Sequence, residues 1–168
     1  ELMRVDANTE KPDLGLSLEL ARAATEGAER FIEDVTFDGA GTFRALLTEP
    51  STWATPQLAR YYGYPGTTAA GAGTDFEKLQ LDPQRYAGVF TQPAYLAASS
   101  HGSSTSPVQR SLPILTKVLC YQPPPPPPDV GPITPNDDLP AQATTRERLT
   151  HFTAQPVCME CHRDINPI

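Results

Sequence analysis

Hydrophobic positions along the chain recur at helical spacing in one long run and several short ones. Between residues 16 and 35, apolar side chains fall at Leu16, Leu20, Ala24, Ala28, Phe31 and Val35, with Glu and Arg between them. A spacing of three or four lays one apolar stripe along an amphipathic helix. Gly39 and Gly41 end this run, and Thr42 caps the short segment FRALL. In TPQLARYYGYPG, Thr55 is an N-cap, Pro56 takes the first helical position and Gly63 stops the helix after Tyr61 and Tyr62. Trp53, Tyr61 and Tyr62 form the heaviest aromatic cluster and are expected to pack in a core.

The pattern sharpens from Gly88. GVFTQPAYLAASS predicts a helix, and SSTSPVQRSLPILTKVLC predicts another, capped by Ser106 with Pro107 behind it. Pro113 lies inside that run and should kink or restart it. Six consecutive prolines follow, Pro123 to Pro128. At about 3.1 Å per residue in a polyproline II helix they make a rigid strut of roughly 19 Å. TTRERLTHF is a helix capped by Thr144 or Thr145, and Pro156 opens a last one. No strand pattern of four or more alternating residues is visible. The expected fold is therefore mainly α, with short helices joined by long Pro/Gly-rich loops and the polyproline II strut. Residues 1–15 read as an extended arm, 16–87 as a first helical segment and 88–168 as a second; 66–75 is a surface loop by composition.

Composition agrees with a loop-rich chain: 19 prolines and 11 glycines among 168 residues leave much backbone outside regular structure. A formal charge of -7 argues against nucleic acid as a partner, because neutralising phosphates takes clustered Lys and Arg. No apolar run approaches the 18 or so residues of a membrane span, so no direct span is expected. The first residue is Glu1 rather than Met, which points to processing or an internal start.

The chemistry concentrates in VCMECHRDINPI, residues 157 to 168. Cys158, Cys161 and His162 spell C-x-x-C-H, the spacing at which two thiols bond haem vinyl groups and the adjacent imidazole reaches the iron. His162 is thus the candidate proximal iron ligand. For the opposite axial position the chain offers His101, His151, Met159 and Met3, of which His101, on a Gly/Ser-rich loop distant in sequence, is the candidate distal ligand. Arg110, Arg146 and Arg148 are candidates to pair with haem propionates. Zinc on Cys120, Cys158, Cys161 and His162 is a rival, although adjacent Cys161 and His162 rarely fit one tetrahedron. A Cys158–Cys161 disulfide is a second. Cys120, ending an apolar stretch, is expected to be a small buried hydrophobe. Ser103 to Ser106 with His101 lack the strand-turn-helix elbow of a hydrolase, and no paired carboxylates are identifiable, so no catalytic residue is assigned.

GVFTQPAYLAASSHGSSTSPVQRSLPILTKVLCYQPPPPPPDV with TTRERLTHFTAQPVCMECHRDINPI resembles domain of unknown function 1588, found in large exported planctomycete- and myxobacteria-type proteins with cytochrome c-like modules. The carrying residues are Gly88 to Thr91, Thr105 to Arg110, Cys120 to Pro128, Thr144 to Arg148 and Cys158 to Pro167. FRALLTEPSTWATPQLARYYG upstream resembles the end of domain of unknown function 1592. Ser111 and Asn166 depart from the Gly and Asp usual in the first family. The resemblance implies an exported, haem-bearing protein, and the two ends imply a piece of a longer one.

Two functions are expected from these residues. The first is a periplasmic electron-transfer or redox accessory module with haem c on Cys158 and Cys161, docking to a redox protein or a membrane-bound electron-transport complex. The second is a non-catalytic structural subunit of such a respiratory or photosynthetic complex, without haem and with the motif cysteines free or disulfide-bonded.

Overall fold

Leu18–Glu33 form the longest helix, α1, started by Ser17, whose side chain accepts from the backbone N–H of Leu20. In the computed structural model, which describes residues 11–64, 74–125 and 139–167, the expected stripe is the buried one. Leu16, Ala24, Ala28, Phe31 and Val35 are all almost inaccessible to solvent. A π-helical turn, Asp34–Asp38, extends α1 before the chain leaves at Gly39. Packing divides the chain into two compact units, residues 1–104 and 105–168.

In the first unit α1 is followed by α2 (Phe43–Thr48), β1 (Ser51–Ala54), α3 (Pro56–Tyr62), β2 (Glu77–Gln80) and α4 (Pro93–Ala98). The caps lie where the sequence puts them: Thr42 accepts from Ala45 N–H, Thr55 accepts from Leu58 N–H, and Gly63 ends α3 with φ 66°. The strands correct the sequence reading, which expected none. β1 and β2 pair antiparallel with Ser51 opposite Gln80 and Ala54 opposite Glu77. Three of the four β1 residues are buried, so the segment shows no alternation of polar and apolar positions. It is covered by α1, whose Gly27 allows a close approach: a Cβ there would lie 2.2 Å from the Trp53 carbonyl oxygen. Buried Gln92 clamps the same strand, accepting from Thr52 Oγ1 at 2.7 Å and donating to the Ser51 carbonyl at 2.8 Å.

The aromatic cluster is core, as expected, but it divides. Trp53 packs beside Phe31, Val35 and Val89. Tyr62 packs on a separate group built on Ala24, Leu58 and Leu79, and Tyr61 packs against Leu16, Ala21 and Ala97. Ring contacts then run Tyr61–Tyr62–Tyr64–Tyr86 at centroid separations of 5.0, 5.7 and 5.5 Å. Burial pushes the Tyr62 and Tyr64 phenols well above their usual range. The described end of the arm, residues 11–15, is not extended. It makes a 3-10 turn over Pro12–Leu14, and buried Lys11 donates from Nζ to the Ser100 carbonyl at 3.0 Å. Residues 1–10 and most of the 66–75 loop lie outside the described residues.

The second unit holds α5 (Pro107–Pro113), α6 (Thr145–Phe152) and α7 (Pro156–Ile165). Ser106 caps α5 through Gln109 N–H, and Pro113 does restart the run, as a π-helical turn over Ile114–Val118. Ser111 is buried, and its hydroxyl donates to the Pro107 carbonyl at 2.9 Å. Thr144 and Glu147 form a reciprocal capping box on α6. Pro126–Pro128 lie outside the described residues. Both units are mainly helical, and the β1–β2 pair belongs to the first.

Candidate functional site

The C-x-x-C-H motif lies within α7, which begins at Pro156 because a residue without an N–H costs nothing at the first helical position. Residues three and four apart share a helix face, so Cys158, Cys161 and His162 form one stripe, continued by Ile165. Ile165 is buried in the unit, and the three motif residues are half-buried. Val157 and Met159 are exposed. The stripe therefore runs from a partly open edge down into the core.

All three cysteines are free thiols. Cys161 Sγ lies 3.4 Å from the Pro124 carbonyl oxygen, and the Tyr121 hydroxyl donates to Asp164 Oδ2 at 2.6 Å. The segment leading into the prolines is thus laid along the second half of α7. That hydrogen bond, chiefly, raises the Tyr121 phenol above its ordinary range.

His162 is held by a chain of hydrogen bonds. Its Nδ1 lies 3.0 Å from Asn166 Oδ1, Asn166 Nδ2 donates to Thr153 Oγ1 at 2.9 Å, and Thr153 Oγ1 donates to the Leu149 carbonyl at 2.8 Å. Thr153 is 1% exposed, so water does not compete for the last two contacts. The Asn166 backbone is fixed as well, by its N–H to the His162 carbonyl and by Arg146 Nη1 on its own carbonyl at 3.0 Å. An imidazole held through Nδ1 is the usual arrangement of a metal-binding histidine, since it orients the ring and leaves Nε2 for the metal. The residues present fit a covalent haem in this respect: two free, partly accessible thiols stand beside a ring anchored by its far nitrogen.

Other sequence candidates fall elsewhere. Cys120 is exposed, not buried: the π-helical turn before it ends in a left-handed residue, and Cys120 takes that place with φ 53°. Tyr121 N–H then reaches back to the Leu115 carbonyl, and Leu115 is the buried residue of the turn. Among the described residues no three His, Cys, Asp or Glu side chains converge as metal ligands, so Cys120 does not join the motif in a zinc site. His151 is exposed at the end of α6, against the Phe152 ring. His101 is exposed and belongs to the first unit, whereas the motif belongs to the second. Arg148 is occupied by the carbonyls of Pro140, Ala141 and Ala143, and Arg146 by that of Asn166; both guanidiniums fix backbone. Asn166 and Thr153 escaped the sequence reading as functional residues. Their only trace is a polar residue one turn beyond His162, which many unrelated helices share.

Among the described residues no helix is long and apolar enough to cross a membrane. No curated protein and no solved structure matches the chain. The match to a known family covers the part that carries α4 to α7 and not the elements before it: residues 86–168 match PSCyt3, a protein of unknown function (DUF1588).

Proposed function

We propose that this chain is an exported electron-transfer or redox accessory module that carries a c-type haem, bonded through Cys158 and Cys161, with His162 as an axial iron ligand. The observation that carries the reading is the anchoring of His162 through Nδ1 by Asn166. Metal-binding histidines donate their other ring N–H in this way, which orients the ring toward the metal. The thiols beside it are free, and the family name PSCyt3 points in the same direction. Bound there, the haem would supply a one-electron couple; the chain itself holds it, orients one ligand and leaves the Val157–Met159 edge of α7 open for approach.

The test is to produce the chain in an oxidising compartment with haem-attachment machinery and to measure its intact mass. A covalent increment of one haem, with an absorption spectrum that survives denaturation and is lost in the Cys158→Ala, Cys161→Ala double variant, supports the assignment. A colourless chain of unmodified mass overturns it.

A further inference from the structure

The hydrogen bonds around Asn166 determine more than the position of the ring. We infer that Thr153 and Asn166 are positioning residues that fix His162 as its Nδ1–H tautomer, so that Nε2 presents a lone pair before any ligand arrives. The Thr153 hydroxyl has one proton, and the Leu149 carbonyl 2.8 Å away takes it; turned elsewhere, it would leave two oxygens facing each other across that distance. Thr153 Oγ1 is then an acceptor for its neighbour Asn166 at 2.9 Å, so the amide nitrogen must point to it. The amide oxygen is left facing His162 Nδ1 at 3.0 Å, and an acceptor there requires a proton on Nδ1. The reverse arrangement turns the amide over and sets the Thr153 hydroxyl against its carbonyl.

Two further contacts fix the backbone from which the amide extends: Asn166 N–H to the His162 carbonyl at 2.9 Å and Arg146 Nη1 to the Asn166 main-chain carbonyl at 3.0 Å. Tautomer choice thus passes from a helix carbonyl in α6 to a ring in α7 through two neutral side chains. Its use as a ligand device rests on the proposal that His162 binds iron, but the tautomer itself does not, and the two are tested apart.

The experiment reads ring nitrogens directly in the haem-free chain. With 15N-labelled histidine, long-range 1H–15N correlation spectra at a pH where imidazoles are neutral separate the two tautomers, and exposed His151 serves as an internal reference. His162 is expected as Nδ1–H. Thr153→Val and Asn166→Ala should each lower the Nδ1–H to Nε2–H ratio by roughly fivefold or more, the equilibrium counterpart of about one hydrogen bond. Thr153→Ser and Asn166→Asp, which keep a hydroxyl and an acceptor, should retain the native ratio. Loss of Thr153 packing alone would not separate serine from valine in this way, and Asn166→Ala gives a second reading should the valine variant fail to fold. An Nε2–H majority in the native chain, or an unchanged ratio in Asn166→Ala, overturns the inference. The haem mass increment, measured separately, decides only whether the ring so held serves iron.

Discussion

Tyr121 and Asp164 are joined by a hydrogen bond of 2.6 Å that ties the segment entering the prolines to the second half of α7. The bond needs a proton on the phenol, and it is the main reason Tyr121 titrates above its ordinary range. The sign follows: a phenol whose folded pKa lies above the unfolded one contributes stability fully below the unfolded value near 10, and this is lost as pH rises through the folded pKa. Ultraviolet titration of tyrosinate should show Tyr121 ionising later than a free phenol. In Asp164→Asn this delay should shrink; a delay of the same size in that variant would remove Asp164 as its cause.

Gly27 of α1 lies close against the Trp53 backbone of β1. A methyl group at residue 27 would sit 2.2 Å from a strand carbonyl that cannot move without disturbing the β1–β2 pairing. Gly27→Ala gains helix propensity, yet overpacking dominates, and urea unfolding should show a loss of about 2–3 kcal/mol. Gly88 makes a second test of the same idea. It has φ 58°, and a Cβ would lie 2.3 Å from the Leu46 carbonyl oxygen, so Gly88→Ala should be at least as costly.

The capping box of α6 predicts a loss on the other side of neutrality. Hydrogen bonds from the Thr144 backbone N–H and hydroxyl hold the Glu147 carboxyl below its usual range. A depressed carboxyl contributes above its unfolded pKa and loses that contribution as pH falls through the folded one, so the cap should weaken in acid. Thr144→Ala removes the N-cap at every pH and should cost about 1 kcal/mol. Its circular dichroism and urea midpoint should also lose part of the native acid dependence, because Glu147 then lacks one of its two donors.

These elements show what a single sequence makes legible. Helix starts were readable because a cap is a local device: Thr42, Thr55, Ser106 and Thr144 each accept from a backbone N–H three residues on. The strand pair was not, because β1 is defined by what covers it, and a four-residue strand buried on both sides has no period of its own. Cys120 misled for a related reason. Its apolar neighbours promised burial, but the π-helical turn adds a residue and delivers Cys120 to the left-handed exit instead. Motif residues Cys158, Cys161 and His162 were legible from spacing alone, while the Asn166–Thr153 contact spans 13 residues and two helices.

Left-handed Cys120 carries a prediction of its own. After the first π-helical turn the left-handed residue comes one place later and is a glycine, Gly41, with φ 61°. A Cβ is disfavoured in this conformation, and glycine relieves it at some cost in unfolded-chain entropy. Cys120→Gly should therefore stabilise the chain by about 0.5–1 kcal/mol in urea, with Cys120→Ala close to native. A destabilised glycine variant would mean that the sulfur makes contacts worth more than the strain.

The three thiols should also separate by access, which governs their reaction with an alkylating reagent when chemistry is otherwise alike. Cys120 is exposed, whereas Cys158 and Cys161 are half-buried, and Cys161 also contacts the Pro124 carbonyl at 3.4 Å. Brief iodoacetamide treatment followed by peptide mass spectrometry should label Cys120 first, then Cys158, then Cys161. Tyr121→Phe loosens the segment that covers Cys161 and should speed its labelling without changing that of Cys120, whose exposure does not depend on the Asp164 contact. The same experiment on a haem-bearing chain has a simpler expected outcome: thioether bonds remove both motif thiols, leaving Cys120 alone to react. Labelling of Cys158 or Cys161 in such a preparation would show that the haem is not held at that cysteine.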